Sequence, residues 1–162
     1  MSAHNTSKAT DTSSSSAPAR SAEWDELHRT LNSTGDAIRR QVVGEEYVNR
    51  ALANASEFMM PMQQLATEYA WGGIWSRPGL ARRDRSILNL GMLAALGRST
   101  ELTTHVRGAL NNGVTEIEIQ ECLLQVATYV GMPAGLEAFR AADKAVQEWK
   151  STNAGASKVE QK

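Results

Sequence analysis

The sequence predicts an all-α fold, a bundle of about six to seven helices. Three observations carry that prediction. In 162 residues there are only 4 Pro, 2 Phe and 3 Tyr, while Ala, Leu and Glu are frequent, a composition that favours helix. Apolar residues recur at helical spacing in one segment after another. Helix-stopping signals separate those segments, at Gly44, Gly72-Gly73, Pro78-Gly79, Gly97, Gly113 and Gly131. No strand pattern, glycine-rich phosphate loop or cluster of metal-ligand residues is visible.

Length and charge set the bounds. A chain of 162 residues has room for one core, expected over residues 22–150. Residues 1–21 are Ser, Thr and Ala with little to bury and read as a flexible tail; residues 151–162 read as a polar tail. The net charge of −1 gives no strong field toward nucleic acid or a membrane surface. No apolar run reaches the roughly 20 residues of a membrane span, and the N-terminus lacks the apolar core of a signal peptide. Cys122 stands alone, so neither an internal disulfide nor a multi-cysteine metal site is expected. The expected location is the cytoplasm.

The first helix is expected from about Glu23 into Arg39-Arg40, on Trp24, Leu27, Leu31 and Ile38, with Gly35 as an interruption and the two arginines as a solvated basic end. A short second helix follows Gly44, through Tyr47, Val48, Ala51, Leu52 and Ala55. Ser56 starts a third, to about Trp71, with Pro61 tolerated in its first turn and Phe58, Met59, Met62, Leu65, Ala66, Tyr69 and Ala70 as its apolar set. Met59, Met60 and Met62 read as gap-filling core or subunit interface. Ile87 to Leu96 is apolar on nearly every face and reads as a central helix, with Gly91 allowing a neighbour close. Thr115 and Glu118 form a capping box ahead of a core helix containing Ile117, Ile119, Cys122, Leu123, Val126, Ala127 and Val130. The last helix runs from about Ala134 to Trp149 with Leu136, Phe139, Ala142 and Val146 inward.

Two stretches carry chemistry. In E-L-T-T-H-V-R-G-A-L-N-N-G, Glu101 and His105 are four residues apart and share one face of a short helix, with Ser99 or Thr100 as N-cap and Asn111-Asn112-Gly113 as the stop. A surface ion pair is the plain alternative for such a spacing. In Y-A-W-G-G-I-W-S-R-P-G-L-A-R-R-D-R-S, two tryptophans stand beside Arg77, Arg82, Arg83 and Arg85. Aromatic walls next to guanidinium groups suit a planar anionic small molecule, because arginine grips a carboxylate with two parallel N–H donors. Arginines at a helix start oppose the helix dipole, so a role other than solvation is expected of at least one of them.

From about Gln41 to Arg140 the chain resembles the carboxymuconolactone decarboxylase family. The resemblance rests on E-Y-A-W-G-G-I-W-S-R-P-G-L, on R-D-R-S-I-L-N-L-G-M-L-A-A-L-G-R, on E-L-T-T-H-V-R-G-A-L-N-N-G-V-T-E-I-E-I-Q-E and on Y-V-G-M-P-A. The related alkyl hydroperoxidase D-like proteins share the helical fold but carry C-x-x-C-x3-H; here Arg98 and Glu101 stand at the cysteine positions and His105 at the histidine, so dithiol peroxidase chemistry is excluded. Asn89 and Gly91 depart from the Thr- and Ala-like residues expected in that helix. The resemblance implies a bundle that assembles with itself, as a hexamer, and a cofactor-independent decarboxylation of 4-carboxymuconolactone to the 3-oxoadipate enol-lactone, without metal.

On that implication, the substrate supplies its own electron sink, a double bond conjugated to the lactone carbonyl, where other decarboxylases use a cofactor. Arg85, supported by Arg83 or Arg77, is expected to bind a substrate carboxylate. His105 is expected to donate to the oxyanion or protonate carbon, and Glu101 to orient His105 or serve as the acid. Trp71, Trp75 and Tyr69 are expected to wall the pocket. Two alternatives remain at this stage: the same scaffold acting on another lactone or a polyketide-type acid in a biosynthetic route, and a non-catalytic assembly protein.

Overall fold

Ser21 opens the first helix by accepting a hydrogen bond on Oγ from the Trp24 N–H at 3.2 Å, and Glu23 and Asp25 place negative charge in the first turn, where the helix dipole favours it. The computed structural model describes residues 20–159, the side chains of 154–159 excepted. The tail expected over residues 1–21 lies, apart from Arg20 and the capping Ser21, outside the described residues. Helix α1 spans Ala22–Val43 and passes through Gly35 unbroken. The reason is tertiary. A Cβ on Gly35 would stand 1.9 Å from the Thr67 carbonyl oxygen, and one on Gly72 would stand 2.3 Å from that of Leu31. Both glycines are crossing points at which two helices touch backbone to backbone, and that packing offsets the roughly 1 kcal/mol that a mid-helix glycine costs.

Gly44, at φ 94°, turns the chain into α2, Glu45–Ala53. Ser56 accepts on Oγ from the Met59 N–H at 3.4 Å and opens a turn that leads into α3, which begins at Met60 and runs to Leu65 with Pro61 in its first turn, as expected. Gly72-Gly73 do not end the helix. It continues as a π-helical segment, Ala66–Ile74, closed by the Trp75 N–H donating to the Ala70 carbonyl at 2.9 Å. This segment packs on α1 through Thr67, Trp71 and Gly72, while Phe58, Met59, Met62, Leu65 and Tyr69 of the expected apolar set are exposed, so Met59 and Met62 do not fill the core of this chain. Arg39 is a further correction. It is buried, donating to Thr67 Oγ1 at 3.2 Å and Gln63 Oε1 at 2.9 Å, whereas Arg40 does face solvent, bonded to Asp36, Glu45 and Asn49.

Four further helices, α4 (Arg82–Ala95), α5 (Ser99–Asn111), α6 (Glu116–Val130) and α7 (Met132–Val159), enclose the larger core. Leu90, Leu102, Val106, Ile119 and Leu123 are almost wholly buried in it, each side chain removing apolar surface worth about 1.5–3 kcal/mol from water. A stripe of Ala138, Ala142 and Ala145 lets α7 lie close, and a Cβ on Gly135 would stand 2.3 Å from Ala127 Cβ. Ile117, Val130 and Leu136, expected inside, are exposed. Gly91 does not mediate a close approach, since its nearest neighbour would be Cys122 Sγ at 3.9 Å, an ordinary contact. Ser99 lies inside α5 and donates to Glu137 Oε1 at 2.5 Å instead of capping. The capping box at Thr115 and Glu118 is present as expected. A single glycine, Gly131, separates α6 from α7, and α7 continues past Trp149 to Val159.

A second, smaller core joins Ile38, Val42, Val43 and Val48 of α1 and α2 to Trp71 and Trp75. Gly108 and Asn111 of α5 lie along the boundary between the cores: a Cβ on Gly108 would stand 3.0 Å from Val42 Cγ1, and Asn111 Nδ2 donates to the Val42 carbonyl at 2.9 Å. The described residues contain no strand, and no helix among them is long and apolar enough to cross a membrane.

Candidate active site

His105 projects from the middle of α5 into the boundary between the two cores. Its neighbours Leu102 and Val106 are buried in the larger core and fix the rotation of the helix. From the other side the π-helical segment presents Trp71 and Trp75, four residues apart and so on one face of a helix with more than four residues per turn. The Trp71 ring lies nearly parallel to the imidazole, 7° from coplanar with centroids 6.0 Å apart; Trp75 is 6.3 Å away and tilted by 30°. The two indoles touch each other at 4.8 Å. Asn89, from α4, brings its side-chain Nδ2 to 3.5 Å from His105 Nδ1. Burial among these groups holds the imidazole below its usual pKa, and the negative charge of Glu101 opposes that shift more weakly. This lowering favours the uncharged ring at neutral pH.

Glu101 stands one turn earlier on α5 and is exposed. It acts on His105 through its charge and makes no hydrogen bond to it. The direct carboxylate–imidazole contact that the spacing suggests is not formed, because His105 turns toward the tryptophans.

The arginines divide. Arg85 lies one turn before Asn89, on the same side of α4; its Nη2 donates to the Arg77 carbonyl at 3.1 Å, while its Nε is buried with no acceptor. An orphaned buried donor of this kind is what a ligand oxygen satisfies. Arg83 is occupied elsewhere. It pairs with Glu118 of the capping box and lies 3.5 Å from Asp84, which ties the start of α4 to the start of α6. Arg82 donates to Gln41 Oε1 at 2.6 Å. Arg77 contributes its carbonyl to Arg85, and its side chain is exposed. Tyr69 is not at this site. It is half-exposed, with its ring 6.3 Å from that of His28 on α1.

The structure thus groups His105, Trp71 and Trp75, with Asn89 against the imidazole and Arg85 one turn away. Asn89 is the residue that sequence reasoning left without a role. Its signal was a lone amide in an apolar run. An imidazole–carboxylate couple that does form, His28 with Glu68, escaped because its members are 40 residues apart; Asn32 Nδ2 lies 3.5 Å from the same carboxylate, and the Trp24 ring lies 4.5 Å from the imidazole, tilted by 44°. Cys122 is half-buried against the Ile87 carbonyl, and burial raises its thiol pKa, which makes it a poor nucleophile. Among the described residues no three His, Cys, Asp or Glu side chains are grouped to hold a metal ion.

Comparison with known proteins adds an independent line. The sequence profile of the carboxymuconolactone decarboxylase family matches residues 61–144. The chain is 48% identical over 124 residues to the nitrosuccinic acid decarboxylase of Metarhizium robertsii, an alignment covering 76% of this chain and 87% of that one. It is 41% identical over 114 residues to the 4-carboxymuconolactone decarboxylase of Acinetobacter baylyi, covering 70% and 85% respectively.

Proposed function

Since the chain belongs to the carboxymuconolactone decarboxylase family, and is accordingly a decarboxylase, we propose that it removes carbon dioxide from a small dicarboxylic acid whose own acceptor group takes up the electron pair. Nitrosuccinic acid is the first substrate proposed, on the higher identity to the enzyme of that name. The carboxylate leaves from the carbon that bears the nitro group. The bonding pair moves onto the nitro oxygens as a nitronate, and a proton returned to carbon gives 3-nitropropanoate. No cofactor is needed as electron sink.

The observation that carries this reading is the half-buried imidazole of His105 set against the Trp71–Trp75 pair, with burial holding its pKa below the usual value. A neutral N–H aimed at the developing oxyanion, in a site from which indoles exclude water, stabilises charge that appears only in the transition state. Arg85 holds the second carboxylate through the donor edge that includes its unpartnered Nε. Glu101, exposed one turn away, passes the proton between solvent and the site.

A second reading, with 4-carboxymuconolactone as substrate, is supported by the 41% identity to the Acinetobacter enzyme. The electron pair then flows into the conjugated lactone carbonyl, and the same groups serve. Self-assembly, with a hexamer as the expected form, is part of the proposal: Leu88 and Met92 of α4 and its C-cap Leu96 recur every four residues and are all exposed.

The test is a side-by-side assay of the purified protein on both acids, with chelator and without added cofactor, following carbon dioxide release and product, while light scattering reads the assembly. Turnover of nitrosuccinate above 4-carboxymuconolactone is the expected result. Turnover of the lactone alone selects the second reading, and turnover of neither overturns both.

A further inference from the structure

We propose that Asn89 is a positioning residue that selects the tautomer of His105, holding Nδ1 as an acceptor so that Nε2 carries the proton into the site. The inference rests on His105 acting as the donor described above.

The orientation of the amide sets the argument: its NH2 group, rather than its oxygen, faces the ring. A neutral imidazole has one protonated nitrogen and one acceptor nitrogen, and an amide NH2 group can only donate. Asn89 Nδ2 faces His105 Nδ1 at 3.5 Å, so the contact is a hydrogen bond only if Nδ1 is unprotonated. Among the described residues no other group is hydrogen-bonded to that nitrogen. Trp71 and Trp75 meet the imidazole with their rings, and indole offers no acceptor. Glu101 makes no hydrogen bond to the ring and reaches it only by its charge. Asn89 has no other hydrogen-bond partner among the described residues, although it is half-buried in the otherwise apolar run Ile87 to Leu96. An amide placed there without a partner is costly, and His105 is what it is placed for.

The chemical consequence is a choice of sign. With Nδ1 held by Asn89, Nε2–H donates to the oxygen on which charge develops. In the other tautomer Nε2 presents a lone pair to that oxygen and repels it. The same imidazole in the same place then opposes the reaction.

The experiment uses the full chain labelled with ¹⁵N-histidine and a two-bond ¹H–¹⁵N correlation at pH 7.5. The chain has 3 histidines, and the spectrum of His105→Gln identifies the signals of His105. The expected wild-type pattern is protonated Nε2 and unprotonated Nδ1. Asn89→Ala should move His105 toward a mixture of tautomers and lower kcat about ten- to a hundredfold, on the scale at which groups that orient a working histidine act, with KM little changed. Asn89→Asp, nearly the same shape, should place the proton on Nδ1 and raise the pKa of the ring; it serves as the second variant should the alanine protein not fold. Nδ1–H in the wild type, or an unchanged His105 pattern in the folded variants, overturns the proposal. The spectra need no substrate, so failure of the chosen acid to turn over strikes the functional reading alone.

Discussion

Gly72 and Leu31 meet without side chains between them: a Cβ on Gly72 would stand 2.3 Å from the Leu31 carbonyl oxygen. Gly35 is the reciprocal point, where a Cβ would stand 1.9 Å from the Thr67 carbonyl oxygen. This crossing sets the distance of the tryptophan segment from α1. Gly72→Ala and Gly35→Ala should each cost about 2–3 kcal/mol or more in urea unfolding, because the obstacle is backbone and cannot swing aside. Gly91→Ala is the contrast. Its nearest neighbour is 3.9 Å away, and a mid-helix alanine should gain about 0.5–1 kcal/mol. Equal effects at the three sites would refute the close-crossing account.

His105→Ala should lower turnover by about 10²–10⁴-fold, the usual contribution of a positioned acid or donor. The helical circular dichroism should be unchanged, since the ring sits at the boundary between two cores and not within either. Wild-type turnover from this variant would remove His105 from the chemistry.

Arg85→Ala should act on KM, raising it about ten- to thirtyfold through loss of a charge-assisted pair of about 1.5–2 kcal/mol. Arg83→Ala should leave KM alone and cost at most about 1 kcal/mol of stability, as its partner is Glu118 in a half-exposed pair. Steady-state kinetics of the two variants separates substrate clamp from structural tie. The reverse outcome would exchange their roles.

The depressed pKa of His105 makes a prediction about acid. Burial disfavours the charged ring, so below the unfolded-state value near 6.5 the unfolded chain takes up a proton that the native chain resists. The resulting stability is fully present above about pH 6.5 and is lost as pH falls through the native pKa. Thermal melts of wild type and His105→Gln at pH 7.5 and pH 5 should therefore diverge, with the wild type losing more on acidification. Parallel loss in the two proteins would mean that the imidazole is not desolvated.

Local signals predicted local structure well. The capping box at Thr115 and Glu118, the stops at Gly44 and Gly113 and the proline in the first turn of α3 all depend on a few neighbouring residues, and each appears where its pattern placed it. Gly72 was misread as a helix end, and Gly35 as an interruption within its helix, because a close helix crossing looks, in one dimension, the same as a stop. For the set Phe58, Met59, Met62 and Leu65 the sequence left core and subunit interface open, because periodicity shows that a helix has an apolar face, not what covers it; within one chain these residues are exposed. For the site, Trp71, Trp75 and His105 were legible and do converge. The separate fates of Arg83 and Arg85 were not: they are two residues apart on a helix, and only the packing of α6 decides which one finds a carboxylate.

His105 is carried by a helix of one core and the indoles beside it belong to the other, the two joined across Gly108 and the Asn111 side chain. Each core can therefore keep its own packing while the gap between imidazole and indole is reset by a small slide of one half against the other. Substitutions at that boundary, with no contact to any substrate, become a dial on selectivity. Two relatives named for acids as different as a nitro-substituted succinate and a carboxylated lactone are what such a scaffold is free to produce: divergence in what is accepted, with the chemical core left in place.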